Sequence, residues 1–103
     1  MKVIWETTAK VGRRQVVAYI RKWFGVKRVK QFRQEVDDTV QLLRKSPNIG
    51  QIDPLYADRA ETYRSVIING LNKIVYRIDG DVIHIVGFWD TRQEPRAQAE
   101  QTK

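Results

Sequence analysis

The sequence has 103 residues, of which 42% are hydrophobic and 30% charged, so it suits one globular domain and is too apolar for a disordered chain. It contains no cysteine, which excludes a disulfide framework, a thiolate metal site and a cysteine nucleophile. Its net charge of +7 points to an anionic partner, without choosing among a nucleic acid, an acidic protein and a membrane surface.

The sequence shows no targeting or membrane-spanning pattern. The opening residues, MKVIWETTAK, reach Glu6 before any long apolar run, so they do not form a signal peptide. No apolar run approaches the ~20 residues that a membrane-spanning helix needs. We therefore expect a cytoplasmic protein with no membrane partner.

The first half of the chain predicts a short strand and then a helical hairpin. Residues 2–6 are expected to form the strand, and Thr7 or Thr8 to cap the first helix. Apolar residues then recur at helical spacing as far as Phe24, and Gly25 ends the helix. The same stripe continues after Gly25 at steps of three and four, until Ser46-Pro47 ends the second helix.

This hairpin has an unusual charge distribution, because no acid lies between Glu6 and Glu35. A solvated helix face is one interpretation, and a surface for an anionic partner is the other. Helices stabilised by their own surface ion pairs alternate in sign, and this window does not. Its cations are Lys10, Arg13, Arg14, Arg21, Lys22, Lys27, Arg28, Lys30 and Arg33.

The second half predicts a connector and three strands. Residues 46–61 hold two of the three prolines and are expected to be irregular. The segments TYRSVIIN, NKIVYRI and DVIHIVGFW are rich in β-branched and aromatic residues, and Asn69-Gly70 and Asp79-Gly80 mark tight turns between them.

These elements predict an α+β fold, in which a helical hairpin packs on a small antiparallel sheet with a C-terminal three-stranded meander. The N-terminal strand is expected to join this sheet. Residues 1–95 form the expected single domain, and residues 96–103 a polar C-terminal tail.

Two arginines are candidate phosphate ligands. Arg64 opens the first strand of the meander, and Arg92 follows its last strand, so the two are expected at one edge of the sheet. Two guanidinium groups on a rigid sheet would clamp a phosphate. The alternative is structural: Arg64 pairs with Asp53 or Asp90, and Asp90 orients Arg92 in a turn.

His84 and Tyr63 are the remaining candidates. His84 is expected in mid-strand, on one face with Val82, Val86 and Phe88, either as a half-buried structural residue or as a general acid or base. Tyr63 is expected as a core or rim aromatic, with base stacking as the alternative. The three tryptophans are expected in the core.

Other familiar sites are not supported. The glycines form neither G-x-x-x-x-G-K nor G-x-G-x-x-G, and the single histidine offers no metal set. A triad of Ser65, His84 and Asp90 has no support from its spacing.

From Lys2 to about Pro95 the chain resembles the RelE/ParE superfamily of bacterial toxins from type II toxin–antitoxin pairs. The resemblance rests on the order of AYIRKWFG, LLRKSPNIGQ, YRSVIINGLNKIVYRI and VIHIVGFWDTRQEP. It implies the same fold and a cognate antitoxin that neutralises the toxin.

The resemblance also implies one of two activities, with a third class left open. RelE-like members cut mRNA in the ribosomal A site, without a metal or cofactor, through attack of the ribose 2′-OH on the adjacent phosphate. ParE-like members bind DNA gyrase and are not nucleases. A non-catalytic module of the same fold is the third possibility.

A ribosome-dependent endonuclease is the main expectation, with gyrase inhibition as the alternative. In the endonuclease, Arg64 and Arg92 would hold the phosphate, and cations of the hairpin would bind ribosomal RNA. The chain departs from the RelE-like pattern because residues 93–103 lack the C-terminal His or Tyr of some members, and His84 and Tyr63 are the only substitutes. The expected RNA-binding residues are Lys10, Arg14, Arg21, Lys27 and Lys30.

Overall fold

Two helices lie on one face of a five-stranded sheet in the computed structural model, which describes residues 1–91. The predicted α+β fold with its helical hairpin is confirmed. No helix in this part of the chain is long and apolar enough to cross a membrane. The elements are β1 (Lys2–Trp5), α1 (Thr7–Phe24), α2 (Val26–Lys45), β2 (Gln51–Ile52), a 3₁₀ turn (Pro54–Tyr56), β3 (Arg64–Ile68), β4 (Asn72–Asp79) and β5 (Val82–Asp90).

The strands lie in the order β1-β5-β4-β3-β2. Strands β3, β4 and β5 form the predicted antiparallel meander. Strand β1 joins the sheet as expected, but it runs parallel to β5, so the sheet is mixed rather than wholly antiparallel. Strand β2 has only two residues and comes from the connector that was predicted to be irregular.

Both predicted turns connect the strands of the meander. Leu71 N donates to Ile68 O at 3.1 Å, and the two residues between them have positive φ angles, 48° at Asn69 and 75° at Gly70. This is the type I′ turn that an Asn-Gly pair favours. In the second turn, residues 80–81 connect β4 to β5, and Gly80 has a φ of 60°.

The main core lies between the helices and the sheet. Four helix residues are buried in this core: Ala9 and Ile20 of α1, and Phe32 and Leu43 of α2. Gly12 lets α1 approach β5 closely, because a Cβ atom there would collide with the carbonyl oxygen of Phe88.

A β-bulge changes which side chains of β5 face the helices. Tyr76 pairs with Ile85, but the preceding residue of β4, Val75, pairs with Gly87, so Val86 is the extra residue. The alternation therefore shifts, and Phe88 packs in the main core on the helix side. The expectation that Phe88 shares a face with His84 is wrong for this reason.

A second cluster covers the other face of the sheet. Val75, Val86 and Trp89 of the sheet pack there with Tyr63 and with Tyr56 of the connector. The connector thus folds over the face that the helices leave open, and both faces of the central strands are buried.

Two further expectations about α1 are wrong. Glu6, not Thr7 or Thr8, occupies the position before the first turn, and it makes no side-chain capping bond there. Trp23 is 63% exposed rather than buried. Helical periodicity places Trp23 on the apolar stripe, but it does not show how far along the helix the sheet provides a partner.

Candidate functional site

Arg64 holds the exit of α2 against the sheet. Its Nη1 atom donates to Gly50 O at 2.9 Å and to Asn48 O at 3.4 Å. Asp53, one of the two partners in the alternative ion pair, binds Lys73 Nζ at 2.9 Å instead.

Tyr76 completes this junction from the neighbouring strand. Its hydroxyl donates to Pro47 O at 2.6 Å and accepts from Gly50 N at 2.9 Å. Burial raises the pKa of Tyr76, while the hydrogen bond from Gly50 and the charge of Arg64 oppose that shift. The phenol therefore stays protonated and keeps donating well into the alkaline range.

His84 is half-buried and has an ionic partner. Its Nδ1 atom lies 2.9 Å from Oε1 of Glu6, the residue that precedes α1. The contact joins the middle of β5 to the start of the hairpin. The geometry fits the structural interpretation of His84, whose imidazole is already engaged.

Tyr63 lies inside the second cluster. It is buried, and its ring stacks on Tyr56 with centroids 5.0 Å apart and planes inclined by 27°. A nucleic-acid base has no access to a ring in this position, so the geometry fits the core aromatic rather than base stacking.

The sheet separates Arg64 from the two candidate acid–base groups. Arg64 pairs in register with Tyr76, whose ring lies in the main core, so both residues are on the helix side. His84 pairs with Arg77, one position along β4, and therefore points to the opposite face. Tyr63 also lies on that opposite face, in the second cluster. These three residues do not converge on one phosphate.

Asp90 lies at a different end of the sheet from Arg64. The register places Asp90 in one row with Asn72 and Ile68, and Arg64 is four residues from Ile68 along β3. Four residues of a strand span about 13 Å. Arg92 itself lies outside the described residues, so its expected place beside Arg64 stays a prediction.

The five expected RNA-binding residues all lie on the hairpin with exposed side chains. Two of them, Arg14 and Arg21, line a groove of about 590 Å³ between α1 and α2. Arg33 lines the same groove, although the expected RNA-binding set leaves it out. Its place among the cations of the acid-free window is the sequence signal that points to it.

An exposed aromatic patch at the hairpin tip was not predicted. Tyr19, Trp23, Phe24 and Val26 are between 50% and 64% exposed, where periodicity had assigned Trp23 and Phe24 to the buried stripe. Tyr19 and Phe24 also line a smaller pocket of about 240 Å³ that reaches Leu71 in the turn between β3 and β4.

Comparison with known proteins assigns this arrangement to a family. The sequence model of the family described as "ParE toxin of type II toxin-antitoxin system, parDE" matches residues 3–95. The chain belongs to the ParE toxin family.

A solved structure supports the ParE fold. The structure titled "Chromosomal ParDE TA system from P. aeruginosa" is similar to this chain, with a TM-score of 0.70 and 16% sequence identity. The match covers 87% of this chain and 95% of that one. No curated protein matches the chain.

The described part of this ParE-family chain contains no assembled metal-binding site. Among residues 1–91, no three His, Asp or Glu side chains gather as a metal ion would require. The polar chemistry there consists of ion pairs, the Arg64–Tyr76 junction and the cationic hairpin.

Proposed function

We propose that this chain is a toxin that acts in the cytoplasm on DNA gyrase and is held inactive by a cognate antitoxin. Membership of the ParE family supports the toxin–antitoxin role and favours gyrase over mRNA as the target. The name of the P. aeruginosa system, ParDE, supports a partner antitoxin. An acidic antitoxin segment would suit a chain with a net charge of +7.

One structural observation carries the preference for gyrase. Cleavage of RNA by its own 2′-OH needs a base, a phosphate-binding cation and an acid around one phosphorus atom. Arg64 is on the helix side of the sheet, whereas His84 and Tyr63 are on the other. Arg64 also already binds two backbone carbonyls. A gyrase inhibitor needs no such constellation, because it acts through its surface.

Two assays on one preparation test the proposal. The first follows supercoiling of a relaxed plasmid by purified gyrase, and the second maps the 3′ ends of a defined mRNA on programmed ribosomes. We expect inhibited supercoiling and intact mRNA. Discrete cuts in the A-site codon with normal supercoiling would identify a RelE-like nuclease, and inactivity of the folded chain in both assays would identify a non-catalytic module.

The variant Arg64→Ala separates the two mechanisms further. We expect the unfolding free energy to fall by about 1–3 kcal/mol, because the carbonyls of Asn48 and Gly50 lose their donor. Inhibition of gyrase should persist at temperatures where the variant is folded. If the folded variant loses its activity completely, Arg64 acts directly on the target and the structural assignment fails. Exposed Lys2→Ala on β1 is the control.

A further inference from the structure

The outer face of the helical hairpin carries a group of cations without partners. Within residues 1–91, the side chains of Lys10, Arg14, Arg21 and Arg33 form no ion pair or hydrogen bond, and all four are exposed. Arg13, beside them, is engaged instead, with its guanidinium 4.2 Å from the centre of the Trp5 ring. Three arginines and a lysine are thus free to bind an external anion.

The nearby acids do not neutralise this face. Glu35 accepts from Arg28 and from Asn69, each at 3.0 Å, and Asp38 accepts from Gln34 at 2.8 Å. Among the acids of residues 1–91, only Asp37 lines the groove together with the arginines. The electrostatic potential of the groove is therefore set mainly by cations.

The spacing of the α1 cations suits an extended polyanion. Lys10, Arg14 and Arg21 are four and seven residues apart, which places them within about 40° of the helix circumference and along about 16 Å of its axis. One strand of DNA presents about five phosphates over that length. Arg33 stands across the groove on α2.

The floor of the groove argues against an amphipathic protein segment as the occupant. Three of its apolar residues, Val17, Phe32 and Val36, are 9%, 0% and 3% exposed, so Ala18 is the one exposed apolar side chain of this lining. The exposed cationic groups of the groove are guanidinium groups, which bind phosphate in a bidentate fork. The exposed aromatic residues lie elsewhere, at the hairpin tip.

We infer that the groove between α1 and α2 binds the phosphate backbone of duplex DNA, through Arg14, Arg21 and Arg33, with Lys10 extending the contact. The choice of DNA over other polyanions rests on the proposed function, since gyrase works on duplex DNA. The toxin then contacts the DNA that gyrase holds as well as the enzyme. The contact reads no sequence, because phosphates are the same at every base pair.

Fluorescence anisotropy of the full chain with a labelled duplex of about 20 base pairs tests this inference without gyrase. The double variant Arg14→Gln/Arg21→Gln should bind about tenfold more weakly. The slope of the logarithm of the DNA association constant against the logarithm of salt concentration should become shallower by about 2. Each lost phosphate contact removes about 0.9 from that slope. The control Lys2→Gln/Lys45→Gln removes the same charge from exposed positions outside the groove and should keep the wild-type slope.

Three results would overturn the inference. The first is an equal loss of DNA affinity in both double variants, which would show a dependence on net charge alone. The second is stronger competition by duplex RNA than by DNA of the same length. The third is displacement of the DNA by polyglutamate at equal charge concentration, which would identify an acidic protein segment as the occupant.

The gyrase assay and the DNA-binding assay test the two proposals independently. Groove-dependent DNA binding by a chain that leaves supercoiling unaffected would contradict the proposed function and confirm the phosphate-binding groove. Inhibition of gyrase by Arg14→Gln/Arg21→Gln at the wild-type level, together with unchanged DNA binding, would confirm the target and overturn the groove.

Discussion

Tyr76 shows how a single buried side chain joins the two halves of the chain. Its ring lies in the main core, and its hydroxyl satisfies a backbone carbonyl and a backbone N–H of the connector. Arg64 binds the same stretch of connector from the adjacent strand. These two residues position the exit of the hairpin relative to the sheet, so Arg64, a candidate phosphate ligand in the sequence, has a structural role here.

The variant Tyr76→Phe should lower the unfolding free energy by about 1–3 kcal/mol at neutral pH, because Pro47 O and Gly50 N lose their partner. Burial raises the pKa of Tyr76 above its ordinary value of 10.0. The hydroxyl should therefore contribute fully to the unfolding free energy below pH 10.0. That contribution should decline as the pH rises through the higher pKa of the folded state.

Urea denaturation at about pH 7 and about pH 11 measures both effects. The stability gap between the wild type and Tyr76→Phe should narrow at the higher pH. An unchanged gap would contradict the titration argument. The matched control is Tyr19→Phe, at a half-exposed position. It should leave the unfolding free energy unchanged at both pH values.

At the scale of elements, the packing of α1 on β5 depends on one small residue. Gly12 lies in the first half of the helix, where glycine is otherwise unfavourable by about 1 kcal/mol relative to alanine. The carbonyl oxygen of Phe88 occupies the space that a Cβ atom would need. Close approach of helix and strand therefore outweighs helix propensity at this position.

The variant Gly12→Ala should lose about 1–3 kcal/mol of stability through this collision, in spite of its better helix propensity. Denaturation by urea measures the change. Ala18→Gly on the exposed side of the same helix should lose about 1 kcal/mol from propensity alone. A more stable Gly12→Ala protein would show that α1 shifts away from β5 at little cost.

Two tryptophans near the ends of their elements differ in burial, although both were expected in the core. Trp89 is 5% exposed near the end of β5, and Trp23 is 63% exposed at the end of α1. Trp89→Ala should cost about 3–5 kcal/mol of unfolding free energy. Trp23→Ala should change it by less than about 0.5 kcal/mol. Similar losses for both variants would show that the hairpin tip packs against the rest of the chain.

Across the whole chain, the positive charge is concentrated on the helical hairpin. The chain carries +7, and the acid-free window from Glu6 to Glu35 covers α1 and the first half of α2. Repulsion within this surface opposes folding, while it attracts an anionic partner. The same feature thus lowers the stability of the free toxin and favours its association.

Salt should therefore stabilise the free chain. Raising the ionic strength from about 10 mM to about 150 mM should add about 1 kcal/mol, or about 4–8 °C in Tm, as screening weakens the repulsion. Calorimetry measures the shift. Arg14→Gln/Arg21→Gln should respond less to salt than Lys2→Gln/Lys45→Gln, which has the same net charge. Equal responses would show that the repulsion is spread over the whole surface.

The two helices, the first strand and the three meander strands were predicted in their correct order from the sequence, whereas β2 and the 3₁₀ turn were not. The helical hairpin, its glycine joint and the two turns of the meander follow from signals within a few residues, such as apolar periodicity and Asn-Gly pairs. The family resemblance also came from the order of such segments. Local signals are reliable for the hairpin and the meander because each of these elements is long or is bounded by a specific turn residue.

Which residues contact one another depends on the folded sheet. The parallel pairing of β1, the bulge at Val86 and the face on which Arg64 lies depend on contacts between residues far apart in the chain. A shift of one residue in register moves a side chain to the other face of a sheet. For that reason Arg64, His84 and Tyr63 look like one site in the sequence, whereas the folded sheet keeps Arg64 apart from the other two.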